Sequence, residues 1–455
     1  MNIPEAFRQH MQAPLGNNIG AFEQALQTES PVSIRLNKPP KLPIDNMYRY
    51  LLAVQWCNNA YYLPERPVFT LDPLFHAGTY YVQEAASMFL EQCINRILNE
   101  NNGPKTVLDL CAAPGGKSTH LASILPQNSL LLSNEIIRSR ANILYENMAK
   151  WGAPNCIISN NDPRDFAPFR NFFDSILVDA PCSGEGMFRN DTNAVNEWSE
   201  ANVKLCAARQ RRILADIWGS LKPGGFLIYS TCTYNLEENE KNVRWLMNEF
   251  RAISIQLAYP DEWNITPSFL NEVHAVRFFP HKTQSEGLFM TLLQKPDDGK
   301  LSVRLRNEKS QYRKLNKDFA YTNKWLKPTQ DWSFVQKADS VYALPSNYLT
   351  EIDLLNKHLR IVTAGIAIGN IKGKDIIPTA ALALSSQIEQ FGFVTWDIDI
   401  DTALNYLRRN NITTPAGMPK GYILLTYNNI PLGWIKNLGT RSNNLYPQEW
   451  RIRHL

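Results

Sequence analysis

Five short apolar runs punctuate the middle of the chain: Val107-Leu108-Asp109-Leu110, Leu130-Leu131-Leu132-Ser133, Cys156-Ile157-Ile158-Ser159, Ile176-Leu177-Val178 and Phe226-Leu227-Ile228-Tyr229. Amphipathic segments of helix length separate them, and this texture holds from Thr106 to about Lys295. Short apolar strands alternating with helices predict an α/β fold with a mostly parallel, doubly wound sheet. Lys222-Pro223-Gly224-Gly225 reads as the close of a helix and the turn into the fifth run. Upstream, to about Asn102, helical patterning mixes with Pro-rich connections such as Lys38-Pro39-Pro40 and Leu63-Pro64-Glu65-Arg66-Pro67, which predicts an α+β segment. Beyond Gln330 the pattern turns to β-type alternation with Gly-rich turns, as in Gly365-Ile366-Ala367-Ile368-Gly369 and Gly421-Tyr422-Ile423-Leu424-Leu425. A break near Thr395 divides this part into two small units. The expected division is 1–102, 103–298, a basic linker 299–330, 331–395 and 396–455.

Composition narrows the class. At 455 residues the length suits about three domains, and 44% hydrophobic with 20% charged residues is ordinary for a soluble globular protein. Met1 to Asn18 lacks the apolar core of a signal peptide, and nothing approaches about 18 uninterrupted apolar residues. A cytoplasmic protein that does not engage a membrane is expected. The seven cysteines (57, 93, 111, 156, 182, 206 and 232) are odd in number and form no Cys-x-x-Cys pair. A disulfide scaffold and a zinc site are both poor readings, and no metal is expected. Residues 300 to 324 carry eight basic residues (Lys300, Arg304, Arg306, Lys309, Arg313, Lys314, Lys317 and Lys324) against Glu308 and Asp318. They read equally as a solvated linker or as a contact with an RNA backbone.

Candidate chemistry sits at strand ends. Cys182, in Asp179-Ala180-Pro181-Cys182, follows the fourth run, and Cys232, in Ser230-Thr231-Cys232-Thr233, follows the fifth. In an open α/β sheet, ligands gather at the carboxyl ends of the strands. The first run leads into Cys111-Ala112-Ala113-Pro114-Gly115-Gly116-Lys117-Ser118-Thr119. A phosphate-binding Walker loop requires glycine where this chain has Cys111, so a nucleoside triphosphate is excluded. Paired glycines still let a ligand approach the backbone. Glu135 follows the second run, Asp162 the third, and Asp179 the fourth. A Gly-rich loop in register with acids that can take ribose hydroxyls and an exocyclic amine fits S-adenosylmethionine.

These motifs together resemble the Sun-type family of RNA cytosine-C5 methyltransferases. The resemblance runs through the Cys111 to Lys117 loop, Asn134-Glu135, Asp162, Asp179-Ala180-Pro181-Cys182-Ser183-Gly184 and Ser230-Thr231-Cys232-Thr233. Arg277-Phe278-Phe279-Pro280-His281 with Glu286-Gly287-Leu288-Phe289, and upstream Ile34-Arg35-Leu36-Asn37 and Tyr80-Tyr81-Val82-Gln83-Glu84, are similar to further family segments. Gly433-Trp434-Ile435-Lys436-Asn437 and Tyr446-Pro447-Gln448-Glu449-Trp450-Arg451 resemble the PUA-like RNA-binding end of the bacterial RsmF-type branch, whose members act on small-subunit ribosomal RNA.

The resemblance implies a Rossmann-like methyltransferase core between an N-terminal RNA-facing segment and a C-terminal PUA-like domain. It also implies an RNA or ribosomal-subunit substrate and a monomer. Its cofactor set maps to Cys111, Ala112, Ala113, Pro114, Gly115, Gly116, Lys117, Glu135, Arg140, Asp162 and Asp179. It assigns attack on cytosine carbon 6 to Cys232 and product release to Cys182, with Asp179 at the N3 side of the ring and Lys117 favouring anionic states. Chemistry alone leaves the two thiols exchangeable, because DNA cytosine methyltransferases attack from a Pro-Cys pair like Pro181-Cys182. The N-terminal segment with Arg35, the basic stretch and the PUA-like tail are the regions expected to grip unstacked RNA. Two other readings are a methyltransferase for exocyclic amines, which would need an aromatic ring where Cys182 stands, and an idle RNA-binding assembly factor.

Overall fold

In the computed structural model, which describes residues 3–37, 51–297, 299 and 312–453, the apolar runs form neighbouring strands of one sheet. Ahead of it lie two helices, Glu5–Leu15 and Ile19–Leu26, and a small antiparallel sheet of order β2-β1-β3. Its strands are β1 (Val32–Leu36), β2 (Ala60–Leu63) and β3 (Tyr80–Val82). The helix Leu90–Glu100 leads into the main sheet.

The main sheet begins with β4 (Thr106–Asp109), β5 (Leu130–Asn134), β6 (Cys156–Ser159), β7 (Phe173–Asp179) and β8 (Leu221–Thr231), all parallel. β9 (Ile253–Ile255), β10 (Thr266–Pro267), β11 (Val276–Phe278) and β12 (Leu288–Gln294) extend it antiparallel beyond β8. Alternate residues of the strands face opposite layers. Val107, Leu131, Ile158 and Ile228 pack with Leu121 and Leu144, from the helices Gly116–Ile124 and Arg138–Trp151. Leu108, Leu132, Ile157 and Leu227 pack with Leu214 and Leu246, from the helices Glu200–Trp218 and Glu240–Phe250. Covering both faces is what makes the parallel strands read as unbroken apolar runs. β4 has β5 on one side and β7 on the other, so the strand order reverses there and opens a crevice at the carboxyl ends.

Two expectations shift. Lys222–Gly225 does not close a helix, which ends at Trp218; these residues already belong to β8. Gly224 N–H donates to Lys295 O, and Lys295 N–H returns a bond to Gly225 O, which draws the stretch into the sheet. Within the region expected as a linker, β13 (Arg313–Lys314) pairs with β14 (Trp332–Lys337), and Phe319 and Leu326 are buried. Lys300, Arg304, Arg306 and Lys309 lie outside the described residues, whereas Arg313, Lys314, Lys317 and Lys324 are exposed.

β14 continues through β15 (Ser340–Pro345) into β16 (Ile361–Ala364), β17 (Ile366–Lys372) and β18 (Asp375–Pro378). β16 pairs antiparallel with β6 and so becomes the far edge of the main sheet. A final sheet holds β19 (Val394–Asp397), β20 (Gly421–Tyr427), β21 (Ile430–Asn437) and β22 (Ser442–Asn444). Thr395 lies inside β19, paired with Leu424 of β20. Among the described residues no helix is long and apolar enough to cross a membrane.

Candidate active site

β7 and β8 run parallel with Asp179 opposite Ser230. Cys182 lies three residues past that register point and Cys232 two, so the two loops emerge side by side with the thiols 3.1 Å apart, Sγ to Sγ. Ala180 N–H donates to Ser230 O, and Gly186 N–H donates to Cys232 O, tying the loops together. At Gly186 a Cβ would stand 2.6 Å from Gly287 O and 2.9 Å from Cys232 O, so the close approach of these chains requires glycine.

Two fully buried carboxylates brace the thiols from behind. Glu185 accepts from Tyr234 N, Asn235 N, Asn235 Nδ2 and Trp198 Nε1. Glu238 accepts from Ser183 N at 3.0 Å, from Gln210 Nε2 and Asn235 Nδ2 at 2.7 Å, and from the Ser183 hydroxyl. Burial pushes the Glu238 carboxyl above its ordinary value. Neither glutamate stands out in the sequence, because most of their partners lie 28 to 55 residues away along the chain.

The hydrogen bond with Cys232 pushes the Cys182 thiol well up, reinforced by burial, by the Cys232 charge and by Glu238. Either sulfur can donate to the other across the 3.1 Å contact. Lys117 Nζ stands 2.8 Å from Asp179 Oδ2. Burial draws the Lys117 ammonium down, but Asp179, with Cys232 and Asp109, outweighs it and holds the value above the ordinary one. Asp179 Oδ1 accepts from the Ser230 hydroxyl at 2.7 Å.

The cofactor loop follows β4. Ala112 N–H donates to Asn134 O, Arg140 Nη2 to Ala113 O, and Asn147 Nδ2 to Pro114 O. Gly115, at φ +117°, provides the turn into the helix. Glu135 is buried, with Oε1 accepting from Ile137 N and Oε2 3.4 Å from Arg140 Nη1. Asp162 caps the short helix Pro163–Phe166 and pairs with Arg164, so its carboxylate has local partners. Cys111 is pushed up by burial and by Asp109, Asp179 and Glu135, which keeps it a thiol inside the loop.

Asp109, at the end of β4, is an addition to the predicted set. It is fully buried, Oδ2 accepts from the Ser118 hydroxyl at 2.6 Å, and Oδ1 has no hydrogen-bond partner. Burial pushes it up to about 7. An unpartnered carboxylate oxygen behind a glycine loop, with Glu135 at the next strand end, fits the cationic amino acid and the ribose of S-adenosylmethionine. Ile136 and Ile137, exposed beside Glu135, add apolar surface for a base.

Arg35 corrects an expectation. It is not an RNA-facing residue: it is buried, with Nε donating to Gln83 Oε1 and Nη2 to Thr119 Oγ1 at 2.7 Å and to Gly116 O. Its guanidinium lies 4.6 Å from the centre of the Trp151 ring. Arg35 therefore supports the cofactor loop. An open groove of about 860 Å³ runs along β1 and the ends of β2 and β3, lined by Arg66 and Arg189 and by the carboxylates Glu29, Glu65, Glu84 and Glu286.

Residues 95–294 match the model of the 16S rRNA methyltransferase RsmB/F family. Residues 3–85 match the N-terminal domain of 16S rRNA methyltransferase RsmF, and residues 393–452 match the methyltransferase RsmF PUA domain. The chain belongs to the RsmB/F family. Ribosomal RNA small subunit methyltransferase F of Erwinia tasmaniensis is 28% identical over 98% of this chain and 96% of its own length. That of Cronobacter sakazakii is 29% identical over 98% and 96%. A methyltransferase homolog from Pyrococcus horikoshii, solved as a crystal structure, superposes with a TM-score of 0.52 at 26% identity, over 62% of this chain and 91% of its own. NSun6 of the same organism, solved with the S-adenosylmethionine analogue SFG, shares the fold at a TM-score of 0.54 and 19% identity, over 65% of this chain and 99% of its own. This RsmB/F member is an S-adenosylmethionine-dependent methyltransferase with a C-terminal PUA domain.

Proposed function

We propose that the protein methylates carbon 5 of a cytosine in small-subunit ribosomal RNA through a covalent cysteine adduct. The observation that carries this reading is the pair of thiols 3.1 Å apart at the ends of β7 and β8, beside the Lys117–Asp179 ion pair. Carbon 5 of a neutral cytosine is a weak nucleophile. Addition of a thiolate to carbon 6 turns the ring into an enamine, which splits one hard step into two easier ones. Cys232 is the attacking thiolate and Cys182 serves release, the roles that the family resemblance gives to two sulfurs 3.1 Å apart. The Asp179 carboxylate, fixed by Lys117 and Ser230, accepts a hydrogen bond from the amine edge of the ring, and the Lys117 ammonium balances charge that builds during addition. S-adenosylmethionine, when bound, supplies the electrophilic methyl group.

After methyl transfer Cys182, having released its own proton to solvent, takes the carbon-5 proton directly or through water, and the electron pair left on carbon 5 re-forms the 5,6 double bond as Cys232 leaves as thiolate. Glu185 and Glu238 position these thiols; they do not touch the base. Asp109, Glu135 and the Cys111–Lys117 loop, with Arg140, hold the cofactor, and Asp162 lies at the third strand end of the same crevice. Unstacked RNA is the expected target, since a base inside a helix is closed to attack. We assign the protein to the cytoplasm, as a monomer, with an N-terminal unit, a methyltransferase core and the PUA end as its divisions.

Labelled S-adenosylmethionine, small-subunit rRNA and assembled subunits, followed by nucleoside analysis, test the reading. Label in 5-methylcytosine is expected. Label in an exocyclic N4-methylcytosine, or none in either substrate, would refute it.

A further inference from the structure

Away from the reaction centre, Cys57, Glu91 and His120 meet in the interior from three separate parts of the chain. Cys57 lies just ahead of β2, Glu91 on the helix Leu90–Glu100, and His120 on the helix Gly116–Ile124 that follows the cofactor loop. All three are buried, at 6%, 4% and 1% exposure. Cys57 Sγ stands 3.2 Å from Glu91 Oε2 and 3.6 Å from His120 Nε2, and the last two atoms are 3.2 Å apart. We propose that this cluster is a structural zinc site, which ties the N-terminal unit to the helix carrying Lys117.

Three observations support the assignment. A thiolate, an imidazole and a carboxylate are the donor types zinc takes in proteins. Around a tetrahedral zinc, with bonds of about 2.3 Å to sulfur and about 2.0 to 2.1 Å to nitrogen and oxygen, ligand atoms lie about 3.3 to 3.6 Å from one another. The Cys57–His120 separation of 3.6 Å falls in that range, and the two separations to Glu91, each 3.2 Å, lie just below it. The other Glu91 oxygen, Oε1, accepts from Asn58 N and Asn58 Nδ2, the kind of outer support that fixes a ligating carboxylate. One thiolate and one carboxylate cancel the charge of the ion itself. A fourth position falls to water. The competing arrangement is a proton-linked triad, in which the Cys57 thiol and the His120 imidazole both donate to Glu91.

The site leaves no motif along the chain, because its ligands stand 34 and 29 residues apart, with no Cys-x-x-Cys or His-x-x-x-His pair. It is independent of the methyl-transfer reading. Full-length protein made in zinc-supplemented medium and passed over a chelating resin is expected to carry about one zinc per chain by elemental analysis. Cys57→Ser and His120→Gln keep a hydrogen-bond donor at each position and are expected to reduce that content at least about tenfold. Wild-type protein with under about a tenth of a zinc per chain, or full zinc in either variant, overturns the proposal and leaves the proton-linked triad. Should a variant fail to fold, wild-type protein refolded with cobalt(II) decides. A thiolate-to-cobalt charge-transfer band supports the site, and its absence overturns it.

Discussion

Asp109 shows how a single buried side chain couples stability to the cofactor site. Burial holds its carboxyl at about 7, whereas an exposed aspartate titrates near about 3.9. A carboxyl raised on folding favours the folded state fully below the lower value and loses that contribution as pH rises through the upper one. Asp109→Asn removes the titration. Its stability relative to wild type should grow between about pH 4 and about pH 7 by about 4 kcal/mol and then level off. Denaturant unfolding of both proteins across that range checks this, and a pH-independent difference would contradict it. At this scale the thiols Cys182 and Cys232, Asp179 and the glycine loop were readable from residue type and place alone. Asp109 was passed over as an ordinary strand residue. Arg35 turns inward to the cofactor loop, and a lone arginine gives no sign in the sequence of whether it meets RNA or a loop backbone.

Among elements, the decisive feature is the fit of the Cys182 loop against the end of β8. Gly186 lets the two chains touch, and Glu185 and Glu238 hold them with hydrogen bonds from both sides. Gly186→Ala forces its new carbon toward Gly287 O and Cys232 O. Methyl transfer should fall at least about a hundredfold, the scale at which a misplaced reacting group registers, while S-adenosylmethionine binding stays near wild type. Parallel activity and calorimetric titrations measure both, and equal losses in the two would point to general unfolding. The five parallel strands were legible because a sheet covered on both faces leaves unbroken apolar runs. The bracing network was not: Glu238 joins Ser183, 55 residues back, through polar contacts that no periodicity encodes.

Across the whole molecule, the C-terminal part completes the core. β16 covers the edge of β6, Arg360 O accepts from Asn160 N, and Gly365 N–H donates to Cys156 O. Tyr446 of the PUA end reaches His76 of the N-terminal unit. Deleting residues 331–455 would bare the β6 edge, and exposed strand edges template aggregation. The truncated chain should form larger species in light scattering and melt at lower temperature; an unchanged monodisperse profile would contradict this. The order of units along the chain could be read from changes in patterning. That a late segment returns to finish an earlier sheet could not, because strand pairing across some 200 residues leaves no local trace.

The central claim is that Cys232 attacks the base and Cys182 releases the product, and covalent trapping tests it most directly. Wild type, Cys232→Ala and Cys182→Ala are each mixed with S-adenosylmethionine and small-subunit rRNA, free and in assembled subunits, and resolved on a denaturing gel. Cys182→Ala should accumulate protein joined to RNA, and Cys232→Ala should give none. Adduct from Cys232→Ala, or none from Cys182→Ala, would contradict the account.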